Sequence, residues 1–324
     1  MILTESSLAP RVADAWSVTR GAGTVLAVVD TTVDVDEHPA FAGRTLPEYR
    51  ASGDRNLANS GALRTHGAKV AGLALANSRH VTGVAPDAML LPVSVPTLGT
   101  GNNHPEADAL RWAANAGADV ICCAWGPHLE AGRYSLPSTV HGALDYCVTE
   151  GRHGKGCVLV FAAGNDGIDV ALNGFATHSG VIAVGACNAH GRRPSYSNPG
   201  SALWCVYTSN DPHDPTGAST RYRTTAPAGS LLLGESFYSS AFGFTSAACA
   251  IVAGACALIL STNPELTSAE VKDVLRASCE RVDIEGGSYD ADGHSPYYGY
   301  GRPDIGYAVR LAQSASGKRG VASV

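Results

Sequence analysis

Five short apolar runs recur through the first 190 residues: Thr24–Val29 (TVLAVV), Met89–Val95 (MLLPVSV), Val120–Ala124 (VICCA), Val158–Ala162 (VLVFA) and Val181–Val184 (VIAV). They are short, rich in β-branched residues and lack polar alternation, so neither face of such a strand is offered to water. That pattern belongs to parallel strands covered on both sides. Between the runs, HGAKVAGLALAN and PEADALRWAANAGA place apolar residues three and four apart, the spacing of helices that cross over between parallel strands. The pattern predicts an α/β fold of three layers, a central, mostly parallel sheet flanked by helices. With 324 residues, 45% of them hydrophobic and 16% charged, there is ample material for a core. The reading is a single domain over residues 1–312, with residues 313–324, ending SASGKRGVASV, as a flexible tail.

The stretch Thr208–Ser240 is rich in Ser, Thr, Gly, Pro and Asp and reads as surface loops and hairpins. An apolar helix follows, from near Ser246 through AACAIVAGACALILS to Asn263, with Pro264 beyond its end. LTSAEVKDVLRASC then predicts a second helix with a Thr or Ser cap and an acidic first turn.

Charge and cysteine usage narrow the function classes. The 23 basic residues are scattered and the net charge is −6, which is no footprint for nucleic acid. The N-terminus lacks a basic segment leading into an apolar one, and no stretch reads as a membrane span, so the expectation is a cytoplasmic protein without membrane partners. Nine cysteines, an odd number mostly set in apolar runs without zinc spacing, predict buried free thiols in a reducing compartment. Monomer is the default.

Four polar residues sit at the ends of these elements. Asp30 ends the first strand, at the carboxyl edge where open α/β sheets bind ligands. His66 opens a helical segment, Asn165 follows the strand VLVFA, and Ser246 begins the most apolar helix, where backbone N–H groups favour an anion. Taken singly, each has a plainer structural reading: helix caps for His66 and Ser246, a turn for Asn165. Taken together, in the order Asp, His, Asn, Ser, they point to nucleophilic catalysis. AVVDTTVDVDEHPAF, HGAKVAG and FGFTSAACAIVAG resemble the aspartate, histidine and serine motifs of the subtilases, and GVAPDAMLLPVSV, VLVFAAGNDG and VIAVGACNAHGRRPSYSNPG resemble intervening family segments. The resemblance runs from about Trp16 to Ala308, and YDADGHSPYYGYGRPDIGYA resembles the ending of bacterial members near the kexin-like branch.

The resemblance implies a serine peptidase with Asp30, His66 and Ser246 as the catalytic triad and Asn165 as oxyanion-hole donor. It further implies substrate walls from Cys123, Ala124, Trp125 and Gly126 and from Ala163 and Gly164, with Phe244 beside the nucleophile where the family motif has glycine. Thr32, Ala68 and Ala250 also depart from the family motifs. Asp166 and Asp169 read either as acids for a basic substrate side chain or as turn acids. No cofactor is required by this reading, though Asp290, Asp292 and the backbone around Gly293 offer oxygen donors for calcium. Three functions follow: a serine endopeptidase of narrow specificity that matures a peptide or protein precursor; a peptide ligase or macrocyclase using the same nucleophile; and a pseudopeptidase scaffold in which Phe244 blocks the cleft.

Overall fold

A computed structural model describes residues 8–51, 61–95, 104–127, 132–214, 216, 221–227 and 237–320. In chain order the elements are α1 (Leu8–Trp16), β1 (Val25–Asp30), β2 (Tyr49–Arg50), α2 (Gly61–Leu75), β3 (Met89–Ser94), α3 (Pro105–Asn115), β4 (Val120–Cys123), α4 (Ser138–Thr149), β5 (Val158–Ala162), β6 (Val181–Cys187) and β7 (Cys205–Thr208). They are followed by β8 (Tyr222–Thr225), β9 (Tyr238–Phe242), α5 (Phe244–Thr262), α6 (Ser268–Ser278), β10 (Cys279–Glu280), β11 (Arg302–Pro303) and α7 (Ile305–Gly320).

The first seven strands form one sheet in the order β2-β3-β1-β4-β5-β6-β7, parallel throughout. All five predicted strands are present. Missing from the sequence reading are β2, a two-residue edge strand without an apolar run, and β7, whose CVYT follows a polar loop. The lack of polar alternation has its expected cause. Leu26 and Val28 of β1 enter one core, while Ala27 and Val29 enter the other. Residues of β4 and β5 divide in the same way, Val120 and Cys122 against Ile121 and Cys123, Val158 and Val160 against Leu159 and Phe161. The first core is closed by α2 and α5, which pack on each other, and the second by α3 and α4.

This parity has a consequence for chemistry. Asp30 has the same parity as Leu26 and Val28, so it lies on the α2 and α5 face of the sheet. After β1 the chain builds β3 on one side and then crosses to β4 on the other, which opens a crevice at the carboxyl ends of the central strands.

Two predicted surface features differ in detail. The hairpin β8–β9 is present, but Tyr222, Thr224 and Thr225 are buried, because both threonine hydroxyls donate to α2, to the carbonyls of Lys69 (2.6 Å) and Ala68 (2.5 Å). The last helix, α7, continues to Gly320, past Ala312 where the reading placed a flexible tail. Helix α5 has 19 residues and is long and apolar enough by itself to span a membrane, but 89% of its most apolar 18-residue stretch is buried within the protein, where it serves as the core helix.

Helix α2 meets the hairpin at Gly72, where an added Cβ would strike both threonine side chains and lie 2.6 Å from the Thr225 N–H nitrogen. Overpacking of this kind costs about 1–3 kcal/mol. Gly72→Val is expected to lower the thermal midpoint by several degrees in calorimetry; an unchanged midpoint would mean that the hairpin is not seated on α2.

Candidate active site

Asp30 reaches the crevice from the end of β1, where it is 2% exposed. Its Oδ1 accepts from the Thr31 N–H (2.8 Å) and hydroxyl (3.2 Å), and its Oδ2 lies 2.8 Å from His66 Nδ1. His66 stands in the second turn of α2, not at its start, so the capping alternative falls away. Gly67 behind it allows the helix to approach the β1 loop: a Cβ there would collide with the Thr32 carbonyl and come within 2.9 Å of Asp30 Cβ. The imidazole edge packs against the Phe242 ring, centroids 5.5 Å apart.

Ser246 is the third residue of α5, whose N-cap is Gly243, so its hydroxyl does not cap the helix. Its Oγ is 3.1 Å from His66 Nε2 and 3.0 Å from the Ala124 carbonyl. With Nδ1–H donated to Asp30, Nε2 carries the lone pair that can accept the serine proton. Burial works to lower the His66 pKa, but the Asp30 charge and hydrogen bond outweigh it, and the net shift is upward from 6.5.

The first turn of α5 leaves backbone donors that need partners. The Phe244 N–H donates to Asn210 Oδ1 (2.5 Å) and the Thr245 N–H to Asn165 Oδ1 (3.0 Å), while the Ser246 N–H has no acceptor among the described residues. The Thr245 hydroxyl also donates to Asn165 Oδ1 at 2.7 Å. Two donors on one oxygen fix the orientation of the Asn165 amide and leave Nδ2 as a donor for another acceptor. A developing oxyanion would meet one side-chain donor, one backbone donor and the positive end of α5.

Sequence reasoning assigned no role to Asn198, which holds the Asn165 loop from below. It is fully buried; its Oδ1 accepts from the N–H groups of Asp166 (3.0 Å) and Ile168 (3.2 Å), and its Nδ2 donates to the Ala163 carbonyl at 3.1 Å. Gly164, at φ +110°, makes the turn above it, and any Cβ there would strike the Asn198 amide. The only trace in the sequence is Asn198 within SNPG, which any surface turn could share. Asp169 is a turn acid: its Oδ1 caps the Ala171 N–H at 2.8 Å.

The segments expected as substrate walls differ in where their side chains point. Cys123 is buried in the second core, and Trp125 is anchored there by Nε1 donating to the Val29 carbonyl (2.8 Å), its ring against Phe161 and Phe175. Their side chains therefore face inward, and Trp125 does not crowd the cleft. Gly126 is exposed, and a Cβ there would sit 3.1 Å from Asn173 Nδ2. Phe244 takes φ +61°, the left-handed conformation that the family glycine permits, and its ring leans on Tyr196 at 4.8 Å, 42% exposed. Ser246 stays within reach of His66.

The turn at 290–294 is closed by its own hydrogen bonds. Asp290 Oδ1 accepts from the His294 N–H (2.8 Å), the Asp290 N–H donates to the His294 carbonyl (2.9 Å), and the Gly293 N–H donates to the Asp290 carbonyl (3.1 Å). These donors close a hairpin. Among the described residues, His141, Asp145 and His178 do bring three ligand atoms within 4.8 Å. However, the Gly180 N–H donates to His178 Nδ1 (3.1 Å), so the ring proton is on Nε2 and points at Asp145 (3.1 Å), a hydrogen-bonded unit and not an open metal site.

Residues 21–301 match the profile of the Subtilase family. A calcium-dependent protease of Trichormus variabilis is 41% identical over 322 residues, covering 93% of this chain and 48% of the relative; the chain thus spans about half the length of the first curated relatives it matches. The subtilisin of Bacillus pumilus is 31% identical over 296 residues, 90% of this chain and 92% of the relative. Among solved structures, a lanthipeptide protease superposes with a TM-score of 0.70 at 22% identity, over 92% of this chain and 90% of that one, which is a likeness of fold.

The imidazole environment sets a titration. Because Asp30 outweighs burial, His66 should titrate above 6.5, and Asp30→Asn should move it below, since only burial and the Lys69 charge then remain. NMR of the imidazole resonances reads both. The sign also applies to stability: the pair's contribution is full below the unfolded pKa and is lost as pH rises through the folded one. An Asp30→Asn titration at or above that of the parent would contradict the account.

Proposed function

The chain belongs to the subtilase family, and on that premise we propose that it is a serine endopeptidase that matures a peptide or protein precursor, with Ser246 as nucleophile. The observation that carries this reading is the continuous hydrogen-bonded line from Asp30 through His66 to Ser246, with spacings of 2.8 and 3.1 Å. In this mechanism His66 Nε2 takes the Ser246 proton as Oγ attacks the peptide carbonyl. The tetrahedral oxyanion is met by Asn165 Nδ2 and the Ser246 N–H. The imidazolium, held by Asp30, gives its proton to the departing amine, and water activated by the same ring releases the acyl group.

Narrow specificity is supported by Phe244, a large side chain at a position beside the nucleophile where breadth would favour glycine. Processing of a modified peptide precursor is compatible with the fold likeness to a lanthipeptide protease. The pseudopeptidase reading requires Phe244 to separate Ser246 from its base, and the 3.1 Å contact counts against it. A cytoplasmic setting is supported by nine free cysteines, eight of them buried. Calcium enters through the names of the two relatives and the oxygen donors of Asp290 and Asp292, and no step above uses it.

The purified protein should be labelled by a fluorophosphonate probe, and the Ser246→Ala variant should not. Absence of labelling in a folded protein would overturn the peptidase reading, and peptides joined without hydrolysis in mass spectrometry would replace it with a ligase. Asn165→Ala should lower kcat about 10²–10³-fold with KM little changed, as for loss of one oxyanion donor. Chelation by EGTA should leave Ser246 labelling intact; its loss would show that the reactive site depends on calcium.

A further inference from the structure

Phe244 is held in a conformation that its own side chain disfavours. At φ +61° a bulky L-residue is strained, where the glycine of the family motif would be at ease. It stands two residues before Ser246, whose Oγ keeps 3.1 Å to His66 Nε2 and 3.0 Å to the Ala124 carbonyl. Relaxation of Phe244 to the right-handed region is a rotation of roughly 120° about one bond, and it would carry the first turn of α5 with it. Strain of this kind persists only where the surroundings over-determine it.

The restraint comes from outside the helix. Gly243, the N-cap of α5, has no side chain to give the first turn, and Asn210 supplies the cap from 34 positions away, its Oδ1 accepting from the Phe244 N–H at 2.5 Å. On the other side of the same residue, the Ser209 hydroxyl donates to the Phe244 carbonyl at 2.8 Å. Both backbone polar groups of Phe244 are thus tied to one dipeptide at the exit of β7. That dipeptide is itself anchored: the Ser209 N–H donates to the Cys187 carbonyl at the end of β6 (2.7 Å), and the Tyr196 hydroxyl donates to the Asn210 carbonyl (2.6 Å) while its ring supports Phe244. Asn210 is 5% exposed, and it reaches the helix because Gly243 has no Cβ, which would strike its Oδ1.

The clamp also decides which donor of α5 stays open. Asn210 takes the Phe244 N–H and Asn165 takes the Thr245 N–H, so the Ser246 N–H, which has no acceptor among the described residues, is the one left for an oxyanion. We propose that Asn210 is a positioning residue for the nucleophile: by holding the Phe244 N–H it fixes the left-handed turn that glycine would adopt unaided, and so sets Ser246 against His66. Asn210 acts through Phe244 and touches none of the reacting atoms. The inference rests on the peptidase reading of Ser246. Its signature is a dependence between two residues, since Asn210 is needed because residue 244 is phenylalanine.

Saturation kinetics of fluorophosphonate labelling, measured on the full chain in two backgrounds, test this. With Phe244 in place, Asn210→Ala should lower the maximal labelling rate by about tenfold or more, while the half-saturating probe concentration changes by less than about twofold. In the Phe244→Gly background the same substitution should change the maximal rate by less than about threefold. Tyr196→Phe, which removes one hydroxyl, should show the same pattern in smaller measure, and it carries the test should Asn210→Ala fail to fold. An equal loss in both backgrounds, or no loss with Phe244 present, overturns the positioning role; a lowered thermal midpoint without the difference between backgrounds makes Asn210 a structural brace only. A parent that does not label fails the peptidase reading itself, and the positioning role falls with it.

Discussion

The constraint on which the rest depends is burial of a parallel sheet on both faces. A strand such as β1, fully enclosed, needs helices above and below, and the crossovers that supply them carry each strand's end to the same rim. Alternate residues then serve alternate cores, Leu26 and Val28 on one side, Ala27 and Val29 on the other. Asp30 continues that alternation at the rim, so the parity of a hydrophobic strand decides which face receives a carboxylate. Because α2 and α5 cover the same face, His66 and Ser246 meet it there.

A second theme is the use of neutral amides to fasten the cleft. Asn165, Asn198 and Asn210 each present an oxygen to backbone donors that the neighbouring loops and the first turn of α5 leave open. Asn173 does the same for Phe175 (3.1 Å) and Ala176 (3.4 Å) below the Gly126 wall. Amides satisfy such donors without bringing further charge near the Asp30–His66 pair, whose titration would respond to it. The cysteines fit the same economy. Burial raises the thiol pKa of Cys123, Cys249 and Cys256, which keeps them protonated and leaves Ser246 as the nucleophile facing the crevice.

Phe244 joins the fold to the chemistry. The family glycine tolerates a positive φ at no steric cost; here the same conformation is imposed on phenylalanine by Asn210, Ser209 and Tyr196. The departure leaves the helix N-terminus and Ser246 where the triad needs them and moves the change to the side of the cleft. Thr32 and Ala68 are absorbed similarly: their carbonyls border Gly67 and accept from Thr225, contacts that do not depend on side-chain identity.

By itself the sequence determined the elements that are local in origin. Unalternated apolar runs specified buried parallel strands, three- and four-residue spacing specified the helices, and the motifs around Asp30, His66, Asn165 and Ser246 specified the residues that meet. It missed β7, whose four residues follow a polar loop, and it read the Thr224–Thr225 hairpin as surface because threonine looks polar until its hydroxyl finds a carbonyl. Only the tertiary structure decided that Asn198 and Asn210 brace the cleft, that Trp125 turns into the core, that Asp290 closes a hairpin, and that Phe244 leans aside. Each of these depends on a partner distant in the chain, and the direction of a side chain is set by the partner it meets, which spacing along a sequence does not encode.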